Sequence, residues 1–281
     1  MDYAGLNAIN LRIVIRGAGD LASGIAKRLY SCGFRPVMTE LPCPKSVRRT
    51  VCFSTAALEG EVTVEGVRAR LVDFPGDGHD DYIPVVLDVP DRPFDFSGFD
   101  VIVDARMMKD LRRDAFPDAF LRIGIGPGFV AGEDCDAVVE TNRGISLGRV
   151  IWSGAAEKDT GIPGVVGGKG AERVLRAPAA GFVRGFHKIG DLVEEGEIVA
   201  EVCGEQVRSP FRGVLRGLVS ERCHVGFGEK IGDVDPRTDV DCSLISDKAR
   251  AIGGGVLEAV LSSFGWRAEK IEKIKGKGQK C

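Results

Sequence analysis

Between residues 177 and 234 the sequence repeats itself, and this constrains the fold more than any other feature. Shifted by 32 positions, the segment aligns with itself without gaps: Pro178 falls on Pro210, Gly181 on Gly213, Arg184 on Arg216, Gly185 on Gly217, Val193 on Val225, Gly196 on Gly228, Glu197 on Glu229 and Val202 on Val234. Each half reads as proline, glycine bend, strand, glycine turn, strand. Two such halves related by a pseudo-twofold are expected to close into a small, flattened all-β barrel with its core over 175–236.

The phrases APAAGFV, KIGDLVEEGEIVAEV and SPFRGVL resemble the barrel-sandwich hybrid of biotinyl and lipoyl carrier domains. In those carriers the modified lysine sits at the tip of the hairpin joining the halves. Here that link, Glu201 to Ser209 (EVCGEQVRS), holds no lysine, so no covalently attached swinging arm is expected.

The N-terminal part reads differently. An apolar run, LRIVI at 11–15, ends in Arg16 and Gly17, and Leu21, Ala22, Ile25, Ala26 and Leu29 then recur at helical spacing until Gly33. Asp20 is the expected N-cap. Residues 36–40 (PVMTE) form a second short strand, so the stretch is strand, turn, helix, strand. Val62 and Val64, then Val67, Ala69 and Leu71, flank a hairpin turn at Glu65-Gly66. Further strands are expected at 99–103, 121–125 and 137–139. Alternating strands and helical stretches predict a Rossmann-like α/β domain over 1–152. A Gly-rich connector and the barrel follow over 153–245, then an amphipathic helix over 246–265 capped by Ser246-Asp247, and a basic, disordered tail over 266–281. The Gly253-Gly254-Gly255 run inside that helix disfavours it by roughly 1 kcal/mol per glycine, which points to close backbone approach.

The residues expected to carry function lie mainly at the strand ends of the first domain. Gly17-Ala18-Gly19-Asp20-Leu21-Ala22-Ser23-Gly24 follows a strand and opens a helix, with Glu40 at the end of the next strand, as in a dinucleotide fingerprint. Gly17 permits the turn, Gly19 admits a pyrophosphate, and Ala22 takes the third small position, with Gly24 just beyond. The helix N-terminus offers amides to phosphates, and Glu40 is placed for a ribose hydroxyl. Asp20 opposes a phosphate unless it caps the helix or holds a cation. Arg48 and Arg49 are candidates to clamp a phosphate or carboxylate, with a solvated surface pair as the equal alternative. Asp104, Arg106, Gly126, Gly128, Thr141, Asn142 and Arg143 lie at strand ends and are candidates for the same pocket rim. A metal site is not expected.

Composition excludes several classes. The net charge of −3 gives no basic footprint for nucleic acid, and no run of 18 apolar residues exists to span a membrane. The start, MDYAGLNAINLR, lacks a signal-type apolar core, so a cytoplasmic protein is expected. Eight cysteines, none spaced as C-x-x-C, read as reduced thiols, with Cys43 the candidate for reactivity near the ligand. Of three histidines, His79 lies in a polar loop while His187 and His224 lie in the repeat. No His or Tyr stands at an evident strand end of the first domain, which counts against a simple dehydrogenase.

Taken as a string, the motifs GAGDLASGIAKRL, ELPCPKSVRRTVCFSTAALEG, IVDAR, IGPGFVAGEDCDAVVETNRG, LGRVIWSG, TGIPGVVGG, IGDVDPR and SDKARAIGGGVLEA resemble the YqeB-type accessory proteins of the selenium-dependent molybdenum hydroxylase system, from residue 11 to about 265. The family often has a histidine after ETNRG, where this chain has Ile145. The resemblance implies a maturation factor that works with a molybdenum hydroxylase and its other maturation proteins. It also implies molybdopterin cytosine dinucleotide as the ligand. An NAD(P)-dependent oxidoreductase and a nucleotide-sensing interaction module without turnover are the alternatives.

Overall fold

The computed structural model describes residues 11–76, 81–107, 116–159, 161 and 164–264. The His79 loop and the basic tail lie outside these. The chain opens with β1 (Ile13–Arg16), α1 (Asp20–Ser31) and β2 (Val37–Glu40). A one-turn α2 (Ala56–Glu59), β3 (Glu61–Val64), β4 (Val67–Leu71), β5 (Ile83–Leu87), β6 (Val101–Asp104), β7 (Leu121–Ile125), β8 (Val130–Ala131), β9 (Ala137–Val139), β10 (Val150–Ile151) and β11 (Gly154–Ala155) follow. The remaining elements are β12 (Val174–Arg176), β13 (Gly181–Gly185), β14 (Leu192–Val193), β15 (Ile198–Val202), β16 (Glu205–Arg208), β17 (Gly213–Leu218), β18 (His224–Val225), β19 (Lys230–Asp235) and α3 (Asp247–Ser263).

The first ten strands, β8 apart, form one nine-stranded sheet in the order β10-β9-β7-β6-β1-β2-β5-β4-β3. Its interior pairs run parallel, while β10 on β9 and β3 on β4 are antiparallel. Gly17 makes the first turn possible: its φ is +94°, and a Cβ there would press on the Ala105 carbonyl at 3.4 Å. Glu65 and Gly66, both at positive φ, turn the β3–β4 hairpin.

This architecture corrects the Rossmann-like reading with its barrel and appended C-terminal helix. The protein is mostly strands, in a large mixed sheet, a two-stranded sheet and two four-stranded antiparallel sheets, with few helices. A doubly wound domain covers both sheet faces with crossover helices. Here, among the described residues of the first part, only α1 and the one-turn α2 are α-helical. The face opposite α1 buries Val14, Val37, Val86, Phe99 and Ile102 under loop residues such as Phe94, Phe96 and Phe116. The connection between β5 and β6 carries Pro90 and Pro93, which disfavour a helix, and its Phe94 and Phe96 cover the sheet as a loop.

The helical face belongs jointly to α1 and α3. Ala22, Ile25, Ala26 and Leu29 of α1 share one core with Ala249, Ile252, Val256 and Val260 of α3. The two backbones touch: a Cβ on Gly24 would lie 2.6 Å from the Ala249 carbonyl oxygen, and one on Gly253 would lie 2.7 Å from that of Gly24. Gly24, a candidate ligand residue, is thus a helix-packing residue. Asp20 does not cap α1 either. Gly19 holds the N-cap position without a side-chain hydrogen bond, and Asp20 is the first helical residue. Ser246 caps α3 by accepting from the Ala249 amide at 3.1 Å.

The repeat is visible in the two four-stranded sheets, ordered β12-β19-β17-β14 and β16-β15-β13-β18. The 32-residue shift carries β12, β13, β14 and β15 onto β16, β17, β18 and β19. Each sheet therefore takes two strands from each half, and both enclose one core that includes Leu175, Val199, Leu215 and Ile231. The hairpin between β15 and β16 turns at Cys203 and Gly204, both at positive φ. This unit is docked on the first part through β17: the Leu218 amide donates to the Val47 carbonyl at 2.9 Å, and Arg49 Nε donates to the Leu218 carbonyl at 2.7 Å.

Candidate functional site

A cavity of about 1030 Å³ opens where three elements converge: the N-termini of α1 and α3, the loops after β7 and β9, and the inner strands of the repeat unit. Among the described residues its wall carries seven cations (Arg48, Arg143, Lys158, Arg173, Arg216, Lys230 and Lys248) against four carboxylates (Asp20, Glu157, Asp159 and Asp233). In a chain of net charge −3, this is a local concentration of positive charge, and the two helix N-termini add to it.

The arginines of the wall are held by named partners. Arg48 follows the segment leaving β2, donates to both Asp20 carboxylate oxygens at 3.1 Å, and reaches the Leu244 carbonyl at 3.0 Å. Arg173 is paired with Asp233, which also lies 3.9 Å from Arg216. Arg216 lies 3.7 Å from Asp235, which is itself held by Arg237. Arg48 and Arg216 are about nine-tenths buried, and the Nε of each has no hydrogen-bond partner. Burial, followed by the nearby Arg48 charge, lowers the pKa of Arg216. Arg48 and Arg216 thus place two like charges on one wall, and an anion in the cavity would offset their repulsion. Lys230 and Lys248 also have lowered pKa values, mainly through burial.

The loop after β9 is held by one buried carboxylate. Glu140 accepts from the amides of Thr141 and Asn142 at 2.7 Å and from that of Glu157 at 2.8 Å. This presents Thr141, Asn142 and Arg143 to the cavity. Arg143 also pairs with Asp247 at the start of α3, 2.9 Å from Nη2, and this hydrogen bond holds the Asp247 carboxyl at about 2, below the ordinary 3.8. A depressed pKa contributes stability above the unfolded value that is lost as pH falls through the folded one. The advantage of the parent over Asp247→Asn in melting temperature is therefore expected to hold above pH 4 and to vanish as pH falls toward 2. It should be small, because the pair is largely exposed. An advantage that grew in acid would contradict this assignment.

The structure divides the residues singled out from sequence. Asp20, Arg48, Gly128, Thr141, Asn142 and Arg143 line the cavity. Gly17, Gly19, Ala22, Gly24, Glu40, Arg49, Asp104, Arg106 and Gly126 do not. Glu40 accepts from the Ala18 amide at 2.9 Å and the Leu41 amide at 2.8 Å, so it braces the glycine turn. Asp104 is buried between Arg16 at 3.1 Å and Arg106 at 2.6 Å and ties strand ends together. Gly126 leaves room for Thr141, whose Oγ1 would lie 2.6 Å from a Cβ there. Arg49 docks β17, as described above. Ile145 is almost wholly exposed and stands outside the cavity wall. Sequence reasoning missed Glu140, Lys158, Arg173, Arg216, Lys230, Asp233 and Lys248. Arg216 carried a signal, being one of the few charged positions kept in both halves of the repeat.

No family model matches the chain. Among solved structures, an aspartoacylase family protein from Mesorhizobium loti aligns over 24% of each chain at 18% identity with a TM-score of 0.22, a likeness too slight to carry any argument. No helix among the described residues is long and apolar enough to cross a membrane. A curated relative, the "Uncharacterized protein YqeB" of Escherichia coli K12, is 47% identical over 257 residues, which is 89% of this chain and 47% of the relative. The chain thus spans about half the length of the curated relative it matches. That identity, over nearly the whole of this chain, supports a YqeB-type protein.

Proposed function

We propose that the cavity binds a nucleotide-containing anion, with molybdopterin cytosine dinucleotide as the leading ligand. We further propose that the chain serves as an accessory factor in the maturation of molybdenum hydroxylases, including selenium-dependent ones. The observation that carries the binding reading is the pair of buried guanidiniums, Arg48 and Arg216, on a wall that is richer in cations than in acids among the described residues. The volume, about 1030 Å³, suits a dinucleotide-sized molecule. The accessory role rests on the motif resemblance. An NAD(P)-dependent oxidoreductase is the weaker reading, because Glu40 is engaged by backbone amides and no His or Tyr lines the cavity among the described residues.

Thermal shift with NAD(H), NADP(H), CMP, CTP, GTP and molybdopterin cytosine dinucleotide ranks these readings. A ligand at a hundred times its Kd adds about 2.7 kcal/mol, which is a rise of a few degrees for a chain of this size. The molybdopterin dinucleotide is expected to give the largest shift. A large shift with NAD(H) and none with cytidine ligands would promote the oxidoreductase. No shift with any ligand would count against all three readings and favour a role through protein contacts alone.

Gly19→Val provides a second check. A Cβ at Gly19 meets only Ser46 Oγ at 3.6 Å, so the variant is expected to fold. Its bulk would stand at the α1 N-terminus, beside Asp20 and Leu21 of the cavity wall. Loss of the ligand shift with normal circular dichroism is the expected result. An undiminished shift would remove the α1 N-terminus from the binding surface.

A further inference from the structure

The segment after β2 straps the large sheet to the repeat unit, and two thiols meet beneath it. Cys43 Sγ lies 3.2 Å from Cys223 Sγ and 3.2 Å from the Arg222 carbonyl oxygen, and Cys223 Sγ lies 3.4 Å from the Pro44 carbonyl oxygen. Around them the strap is held by Lys45 Nζ on Glu229 Oε2 at 2.8 Å and by the Leu218 amide on the Val47 carbonyl at 2.9 Å. The strap then continues directly into Arg48 of the cavity wall. Cys43 is exposed and Cys223 is fully buried.

We infer that Cys43 and Cys223 form a reversible dithiol–disulfide site that staples the strap to the repeat unit. The two sulfurs are in contact and each thiol lies against the backbone carbonyl beside the other, so oxidation requires little rearrangement. A low-molecular-weight disulfide such as oxidised glutathione supplies the oxidising equivalents. The Cys43 thiol gives up its proton and its sulfur attacks the small disulfide, breaking that S–S bond and releasing one thiol. Cys223 then loses its proton, attacks the Cys43 sulfur, and displaces the second small thiol. In total, two protein thiols become one cystine and one small disulfide becomes two thiols. The order follows from access: burial pushes the Cys223 thiol up to about 12 and shields it, so the exposed Cys43 reacts first. The crosslink joins positions 180 residues apart, which restricts the unfolded chain strongly and holds the strap to its partner.

The test is equilibration of the full chain in glutathione buffers of graded potential, followed by alkylation and peptide mass spectrometry. One disulfide linking the Cys43 and Cys223 peptides is expected, reversed by dithiothreitol, with Tm higher by about 5–10 °C in the oxidised form. Cys43→Ser should abolish the crosslink and the Tm difference. Cys32→Ser and Cys203→Ser, at the other exposed cysteines among the described residues, should retain both. Since Cys43 is exposed, its serine variant is expected to fold, and its unoxidised Tm serves as the control. Cys43 trapped as the glutathione mixed disulfide, Cys43 joined to a different cysteine, or thiols left unchanged in the most oxidising buffer would each overturn the inference.

Discussion

Gly255→Val is expected to leave little folded protein, whereas Gly254→Ala, one position earlier, is expected to raise the melting temperature. A Cβ on Gly255 would lie 2.2 Å from the Gly148 carbonyl oxygen and 2.9 Å from Val139 Cγ1. The nearest obstacle is the Gly148 backbone, which cannot rotate away as a side chain could. Overpacking against such atoms costs about 4 kcal/mol or more, a large part of the stability of a typical domain. A Cβ on Gly254 meets nothing within 4 Å, so alanine there recovers helix propensity worth about 1 kcal/mol. The pair separates packing from propensity within one glycine run. Circular dichroism melts of both variants decide the matter. Equal and mild effects at the two positions would mean that α3 does not sit against the sheet at this distance.

Arg216→Ala is expected to weaken ligand binding by about 10- to 100-fold, the range for losing a charge-assisted contact in a buried site. The same change should not lower the stability of the ligand-free protein. Asp233 keeps Arg173 and Asp235 keeps Arg237, while Arg48 loses a repelling neighbour. Arg184 is the internal control: it occupies the same place in the other half of the repeat but lies exposed, 3.4 Å from Glu201. Arg184→Ala should leave binding unchanged. Measurement by calorimetry or thermal shift with the best ligand of the panel gives the comparison. Equal losses for the two variants, or none for Arg216→Ala, would detach the repeat unit from the binding site.

Much of the local structure was legible in the sequence. The strand–glycine turn–helix–strand unit at 13–40 depends on short-range chemistry: an apolar run, a glycine at positive φ, and apolar residues at helical spacing. The β3–β4 hairpin and the close approach of the glycine run in α3 depended on equally local signals. The class of the whole fold was not legible. A Rossmann-like domain was expected from strands that alternate with helical stretches. The connection between β5 and β6 instead covers the sheet with loop aromatics, and α3, from the far end of the described chain, lies beside α1.

The sequence alone determined which groups are available: an arginine pair at 48–49, a TNR loop after a strand, and a duplicated arginine at 184 and 216. Only the tertiary structure decided which of them share a cavity. Docking of β17 against Val47 turns one copy of the repeated arginine inward and leaves its twin in solvent, although a 32-residue shift makes them equivalent in sequence. The same docking brings Cys43 to Cys223 and places Arg48 on the same wall as Lys230. Strand and turn preferences arise within a few residues and so can be read along the chain. Burial, charge pairing and the convergence of distant side chains depend on which faces pack together, and a single half of a repeat carries no record of that choice.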